Sequence, residues 1–282
     1  MKTFWIRTAS ATVYAVLFLG SIYSSRLLDI PLLGQCIFTT FALFVTLGCT
    51  YEFYKLVGKQ GAKPSKALGF GVATILLLWL MLPWDIMPWR LTPVLDKLFM
   101  VTLYCAVPLA IGLQLWGHSE KPFADAAYTL LPALYAAFAL GQMNYLHNAM
   151  NVLVMCIIMV WTNDCFAYMG GSLFGKHKMW PRHSPGKTWE GTAIGVVFAV
   201  LVGIFVGPLF DSPMHRYDWA ILGLICGVVG TLGDLAESML KRSVGVKDSG
   251  NIMPGHGGFL DRFDSLLFIL PVATAFCQLL NY

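Results

Sequence analysis

The chain has 282 residues, enough for one large domain or two ordinary ones. Hydrophobic residues make up 57% of it, charged residues only 12% against the roughly 25% of a soluble domain, and the mean hydropathy is +0.67. A soluble protein this apolar could not cover its surface, so a globular soluble domain, a disordered chain and a nucleic-acid binder with a broad basic face are all excluded. The formal net charge of +4 decides nothing by itself; the placement of the charges carries more.

A helix that crosses a bilayer needs about 20 mostly apolar residues. Nine such stretches follow one another, near 8–25, 31–50, 67–82, 98–116, 125–142, 150–168, 190–208, 218–236 and 264–280. Lys59-Gln60-Gly61-Ala62-Lys63-Pro64 separates the second from the third, Pro83-Trp84-Asp85 ends the third, and Pro88 and Pro93 keep the next segment irregular. The fifth contains Pro132, and its boundary with the sixth is the least defined. With the N-terminus in the cytoplasm, Arg26, Arg90, Lys97 and Arg216 are the only cations outside and the other 15 of 19 lie inside. The predicted fold is therefore all-α: a polytopic integral membrane protein of about nine transmembrane helices, with a cytoplasmic N-terminus. Lys2 and Arg7 before an apolar run read as an uncleaved first span, because no small-residue cleavage site leads into a soluble domain.

Tryptophans 84, 89, 116, 161, 180 and 189 fall near predicted span ends, as an aromatic belt would. The seven cysteines (36, 49, 105, 156, 165, 226, 277) form no CxxC or metal-ligand spacing and read as reduced packing residues. Two regions are expected: 1–145, an N-terminal multi-span region of about five helices, and 146–282, a C-terminal catalytic multi-span region with two cytoplasmic loops.

The N-terminal region is chemically quiet. Glu52, at the cytoplasmic end of the second span, reads as an interface charge rather than a ligand. The polar residues concentrate in the two C-terminal loops. In the first, Asn163 and Asp164 lie inside a predicted span, where an ionisable residue is costly and points to function. After them come Phe174-Gly175-Lys176-His177-Lys178 and Ser184-Pro185-Gly186-Lys187-Thr188-Trp189-Glu190-Gly191. Free backbone amides and point charges together suit a phosphate-bearing ligand. Ser184–Glu190 reads as a turn entering the seventh helix, with Glu190 favouring that helix's N-terminus.

The second loop is denser. Asp234, Glu237, Ser238 and Lys241 share one helical face at i, i+3, i+4 and i+7, and Asp261 and Asp264 share another just after Gly257-Gly258. Clustered carboxylates repel unless a cation sits among them. Mg²⁺ takes oxygen ligands and bridges carboxylates to substrate phosphates, a role that suits Asp234, Asp261 and Asp264. His256-Gly257-Gly258 exposes backbone at a helix N-terminus, a ready phosphate site. Lys241, Arg242, Lys247 and Arg262 can neutralise phosphate charge. Singly, each of these residues has a plain structural alternative: a helix-dipole partner, an i,i+4 pair, a loop histidine. Five acids (Asp234, Glu237, Asp248, Asp261, Asp264), four bases and a Gly-rich turn together, in a chain only 12% charged, do not.

The run from Ser238 through Lys241-Arg242, Lys247-Asp248, Gly250, Pro254-Gly255-His256-Gly257-Gly258 and Asp261-Arg262 to Asp264 resembles, without gaps, the signature of the phosphatidate cytidylyltransferase (CDP-diacylglycerol synthase) family. The stretches at 174–178 and 184–191 are similar to the same family, and the resemblance covers roughly 160–265. Gly186 departs from it, standing where some members carry a second lysine. The resemblance implies a nucleotidyltransferase that makes CDP-diacylglycerol and pyrophosphate from CTP and phosphatidate for phospholipid synthesis in a bacterial-type cytoplasmic membrane, with its active site facing the cytoplasm. It implies Mg²⁺, with a second cation as an open alternative, and CTP, phosphatidate and the bilayer as partners; a homodimer is a candidate assembly, and no nucleic acid is expected. Asp234, Asp261, Asp264, Lys241 and Arg262 are the candidate catalytic residues, the three aspartates being the candidate metal ligands. Asp164, Lys176, Lys178, Ser184, Lys187, Thr188, Glu190, Glu237, Ser238, Arg242, Lys247, Asp248, His256, Gly257 and Gly258 are the candidate substrate-binding residues.

The rival enzyme is a CTP-dependent lipid or polyprenol kinase, which would release CDP. The Asp-Gly-x2-Ala-Arg motif of the CDP-alcohol phosphotransferases is absent. A transporter predicts broken helices near the midplane and repeat symmetry, and the sequence offers neither.

Overall fold

The structure, a computed structural model, describes residues 2–28, 30–82, 92–117, 119–148, 151–210, 214–250, 252 and 257–282, with side chains from Thr12 onward apart from those of 25, 26 and 148. Pro83, Trp84, Asp85, Pro88, Trp89, Arg90, Pro254, Gly255 and His256 lie outside the described residues, as do the side chains of Lys2, Arg7 and Arg26. The helices are α1 (Lys2–Leu27), α2 (Pro31–Gly58), α3 (Lys66–Met81), α4 (Thr92–Gly112), α5 (Pro122–Pro132), α6 (Phe138–Asn148), α7 (Val152–Phe174), α8 (Trp189–Val206), α9 (Arg216–Ser243) and α10 (Leu260–Leu279). Among the described residues, six segments are long and apolar enough to cross a membrane: Pro31–Gly58, Thr92–Trp116, Pro122–His147, Val152–Phe174, Trp189–Leu209 and Arg216–Ser243. The chain is thus an all-α polytopic membrane protein, as expected. A count of nine spans would add the shorter apolar helices Thr12–Ser24 and Lys66–Met81, and α10.

The chain forms two compact units, 1–141 with 248–262, and 142–247 with 263–282. In the first, Pro31 opens α2 at a position where its missing N–H costs nothing. Phe18 stacks on Phe41 at 5.4 Å, and Ser24 Oγ donates to Gly34 O at 2.9 Å, which ties α1 to α2. The expected break at 59–64 is a turn with Gly61 at φ +80°. The backbone N–H groups ahead of α3 are met from α5: Lys63 N donates to Asp125 Oδ1 and Ser65 N to Thr129 Oγ1, both at 2.9 Å. Pro132 does not end its span. The chain continues through one wide turn, Ala133–Ala137, into α6, which absorbs the missing donor without breaking the helix.

In the second unit, α7, α8 and α9 pack at small residues. A Cβ at Gly195 would meet Asn163, and one at Gly223 would meet the backbone of Ala199. Close backbone approach through glycine is how helices associate where no hydrophobic drive separates helix from lipid. Phe166 stacks face to face on Phe198 at 3.6 Å. α9 opens with a capping box, His215 and Asp218, and Tyr282 Oη donates to Asp218 at 2.9 Å. One local expectation is corrected. Ser184–Thr188 is a strand rather than a turn: β2 (Ser184–Thr188) pairs antiparallel with β1 (Lys178–Trp180), Lys178 opposite Thr188. Pro185 is tolerated because a two-stranded ribbon leaves edge positions without a partner. α7 also runs to Phe174, beyond the expected end at 168, so Trp161 sits mid-helix, while Trp116, Trp180 and Trp189 are exposed at or beyond helix ends.

Candidate active site

The second unit carries an acidic cluster built from α9 and α10. A Cβ at Gly233 would lie 2.6 Å from Asp264 O, so only glycine lets that stretch of α10 approach and set Asp264 beside Asp234. Oxygens of Asp234, Glu237 and Asp264 lie within 4.8 Å of one another. Two ammonium groups face them. Lys187 Nζ, at the end of β2, is 2.6 Å from Asp234 Oδ2 and 3.5 Å from Thr231 O. Lys241 is ion-paired with Glu237 one turn earlier on α9, and the Glu237 side chain is fully buried. Ser238 Oγ donates to Asp234 Oδ1 at 3.3 Å, so the predicted face of Asp234, Glu237, Ser238 and Lys241 forms. Asp164 on α7 is exposed. The Asp234 and Lys187 side chains are about a third and a quarter exposed, which leaves the cluster open on one side.

Several expected substrate-binding groups are engaged in local structure. Thr188 caps α8 by accepting from Gly191 N at 3.2 Å. Glu190 accepts from the N–H groups of Lys176 and His177 at 3.2 Å and pairs with His177 Nδ1 at 2.5 Å, which folds the end of α7 onto the start of α8. Arg242 donates from Nη1 to Val246 O at 2.9 Å and from Nε to His183 O at 3.4 Å, bracing the hairpin turn against the turn after α9. Lys176, Lys178 and Lys247 are exposed, and Ser184 is half-buried in β2.

The first unit holds the other half of the signature. Asp261 Oδ2 accepts from Ser249 N at 2.9 Å, Ser249 Oγ at 2.8 Å and Gly258 N at 2.8 Å. Gly257 has φ +78°, and a Cβ there would lie 2.5 Å from Asp261 Oδ2. Asp248 and Arg262 are exposed. Asp261 is therefore engaged by Ser249 and Gly258 of its own unit, and the carboxylates that lie within 4.8 Å of one another are Asp234, Glu237 and Asp264. The residue that sequence reasoning set aside is Glu52. It is 1% exposed and accepts from Ser249 Oγ at 2.8 Å and from Phe259 N and Leu260 N at 3.0 Å. An acid inside an apolar helix was the available signal, since burial of a charge demands partners.

A multi-span helical scaffold whose scarce charges gather as carboxylates faced by ammonium groups marks a candidate functional site in a membrane protein. The chain belongs to the cytidylyltransferase family, whose pattern matches residues 5–280 and so extends through the N-terminal half, well beyond the resemblance at 160–265. Cytidylyltransferases are by class nucleotidyltransferases. A phosphatidate cytidylyltransferase of Staphylococcus haemolyticus is 32% identical over 95% of this chain and 96% of that protein. Proteins of the same name from Staphylococcus epidermidis and Staphylococcus saprophyticus are 37% and 42% identical, over 58% and 53% of this chain. Those two matches span 64% and 58% of the relatives' own lengths, less than two thirds of each.

Proposed function

We propose that the protein transfers the cytidylyl group of CTP to phosphatidate, releasing pyrophosphate and leaving CDP-diacylglycerol in the bilayer. A phosphate oxygen of phosphatidate attacks the α-phosphorus of CTP in line; the bond from that phosphorus to the bridging oxygen of the β-phosphate breaks, and pyrophosphate leaves with the electron pair. Two anions must meet, so the work of the chain is positioning and charge neutralisation, with no side-chain nucleophile. The observation that carries this reading is the juxtaposition of Asp234, Glu237 and Asp264 with Lys187 and Lys241. Three hard oxygen donors within 4.8 Å fit Mg²⁺, which usually binds through one or two carboxylates and keeps waters for substrate phosphates. Asp234 and Asp264 would hold it, with Glu237 behind them and Asp261 carried over from the family signature. When bound, the ion supplies Lewis-acid stabilisation of charge developing on the phosphates. Lys187, Lys241, Arg242, Lys247 and Arg262 then serve the triphosphate and headgroup. With 15 of the 19 cations on one side, this chemistry faces the cytoplasm.

The test is incubation of the purified protein with labelled CTP, phosphatidate and Mg²⁺. A CDP-lipid and pyrophosphate are expected, whereas CDP with a newly phosphorylated lipid would overturn the reading in favour of a kinase. Lys187→Ala should raise the KM for CTP by about tenfold or more, the value of one charge-assisted contact, with a smaller change in kcat. Arg262→Ala should move KM in the same direction. CTP titrations of both variants decide the point, and unchanged KM in both removes them from the nucleotide site.

A further inference from the structure

α2 presents Phe44, Gly48 and Glu52 at i, i+4 and i+8, a single stripe on one face of the helix. Ser249, Gly250 and Gly258–Leu260 seat on that stripe. The ring of Phe259 meets Phe44 edge-on at 5.1 Å and lies so close over Gly48 that any Cβ there would collide with it. One turn further along, the buried Glu52 carboxylate receives Phe259 N on Oε1, and Leu260 N and Ser249 Oγ on Oε2. Phe259 N and Leu260 N lie at the start of α10, where N–H groups have no partner within the helix. A carboxylate from a distant helix thus supplies the cap that the Gly-rich turn lacks. Gly250 and Gly258 pack flat against it, and a Cβ at either would strike the Glu52 carboxylate. Ser249 Oγ lies 2.8 Å from both Glu52 Oε2 and Asp261 Oδ2, so one hydroxyl bridges the two acids and its proton serves one of them at a time.

We infer that Glu52 is a positioning residue for the transfer reaction: it ties Ser249–Gly250 to Gly258–Leu260 and, through Ser249, sets the orientation of the Asp261 carboxylate. The inference rests on the reaction proposed above and adds to it a residue outside the signature, 197 positions from Ser249. A carboxylate is required because all three partners are donors. A Gln side chain of the same shape keeps one acceptor and turns an N–H₂ group toward an N–H or O–H, leaving at least one buried donor unmet.

The experiment compares E52Q, E52D and S249A with the unaltered protein in lipid nanodiscs. Amide hydrogen exchange at 258–260 is read without substrate, and kcat, the KM for CTP and the Mg²⁺ activation curve are read with it. In E52Q, exchange at Phe259 and Leu260 should accelerate at least about tenfold, and kcat should fall about 30-fold while the KM for CTP stays within about threefold. E52D restores the charge without the reach and should recover part of kcat. S249A breaks only the bridge; it should lower kcat by about fivefold and shift Mg²⁺ activation to higher concentration, with Phe259 and Leu260 still protected. Undiminished protection at 259 and 260 in E52Q overturns the clamp whatever the reaction is. Wild-type kcat in E52Q, or a rise in KM alone, overturns the positioning role, as does an S249A protein with unaltered kcat and Mg²⁺ dependence should E52Q fail to fold. Absence of CDP-lipid from the unaltered protein would instead strike the reaction assignment, and the exchange readout still decides the clamp.

Discussion

Asp234→Asn should lower cytidylyl transfer by about a thousandfold or more, the scale of several kcal/mol of lost charge stabilisation, while leaving the fold intact. Asn is nearly isosteric, so the helix and the contact with Ser238 Oγ persist. What disappears is the negative charge that Lys187 approaches at 2.6 Å and that the cluster with Glu237 and Asp264 would present to a cation. The structural cost is small. The Asp234–Lys187 pair is partly exposed, and pairs of that kind contribute about 0–1 kcal/mol once solvent screens them. Turnover at saturating CTP and Mg²⁺, with helicity and detergent melting measured on the same preparation, separates the two effects. Asp264→Asn and Asp261→Asn should follow in the same direction, Asp264 through the cluster and Asp261 through the signature loop. A purified Asp234→Asn protein that turns over within about tenfold of wild type would remove Asp234 from the proposed metal site, because no single bound-ion ligand contributes so little.

Membrane helices are legible in a sequence because the bilayer imposes a length and a hydropathy that no packing detail can override. The helices α2, α7, α8 and α9 follow directly from that rule. Part of the cluster was legible for a related reason. In a chain 12% charged, Asp234 and Asp264 stand out, but the sequence groups them with Asp261 and gives Glu237 to the substrate, whereas Glu237 is the third carboxylate beside them. The third partner of each group was not legible. That Lys187 reaches Asp234 depends on how a hairpin folds beside α9, and residues 184–188, with Pro and Gly at their centre, carry no strand pattern of their own. Thr188 and Glu190 carry the same side chains whether they bind a phosphate or cap a helix; only the hydrogen bonds to Gly191, Lys176 and His177 separate the two. Glu52 was read as an interface charge because a lone acid near the end of an apolar helix has that meaning locally. Its partners lie about 200 residues away, and no local pattern encodes them. The signature glycines were visible as a motif, yet their reason is tertiary: Gly250 and Gly258 exist to lie against a carboxylate from α2.

Gly258→Ala is the expected second large loss. The Gly258 Cα faces the Glu52 carboxylate so closely that a methyl group cannot fit, and its N–H donates to Asp261 Oδ2 at 2.8 Å. Two responses are open. Either Glu52 withdraws, giving up Ser249 Oγ, Phe259 N and Leu260 N, or the turn shifts and takes the Gly258 N–H away from Asp261. Both leave buried polar groups without partners, each costing about 1–3 kcal/mol, so stability should fall by about 2–5 kcal/mol. Transfer should fall at least about 100-fold, because a misplacement of roughly 1 Å in a positioning group is enough for that. Gly71→Ala is the control. Gly71 lies inside α3 with open space around it, so alanine there should be neutral or stabilising by up to about 1 kcal/mol. Combining Gly258→Ala with Glu52→Ala should cost much less than the sum of the two single changes, since both remove the same contact. Denaturation midpoints and turnover of the four proteins test this directly. Additive losses in the double variant, or a Gly258→Ala protein as active and stable as Gly71→Ala, would mean that the loop does not rest on Glu52.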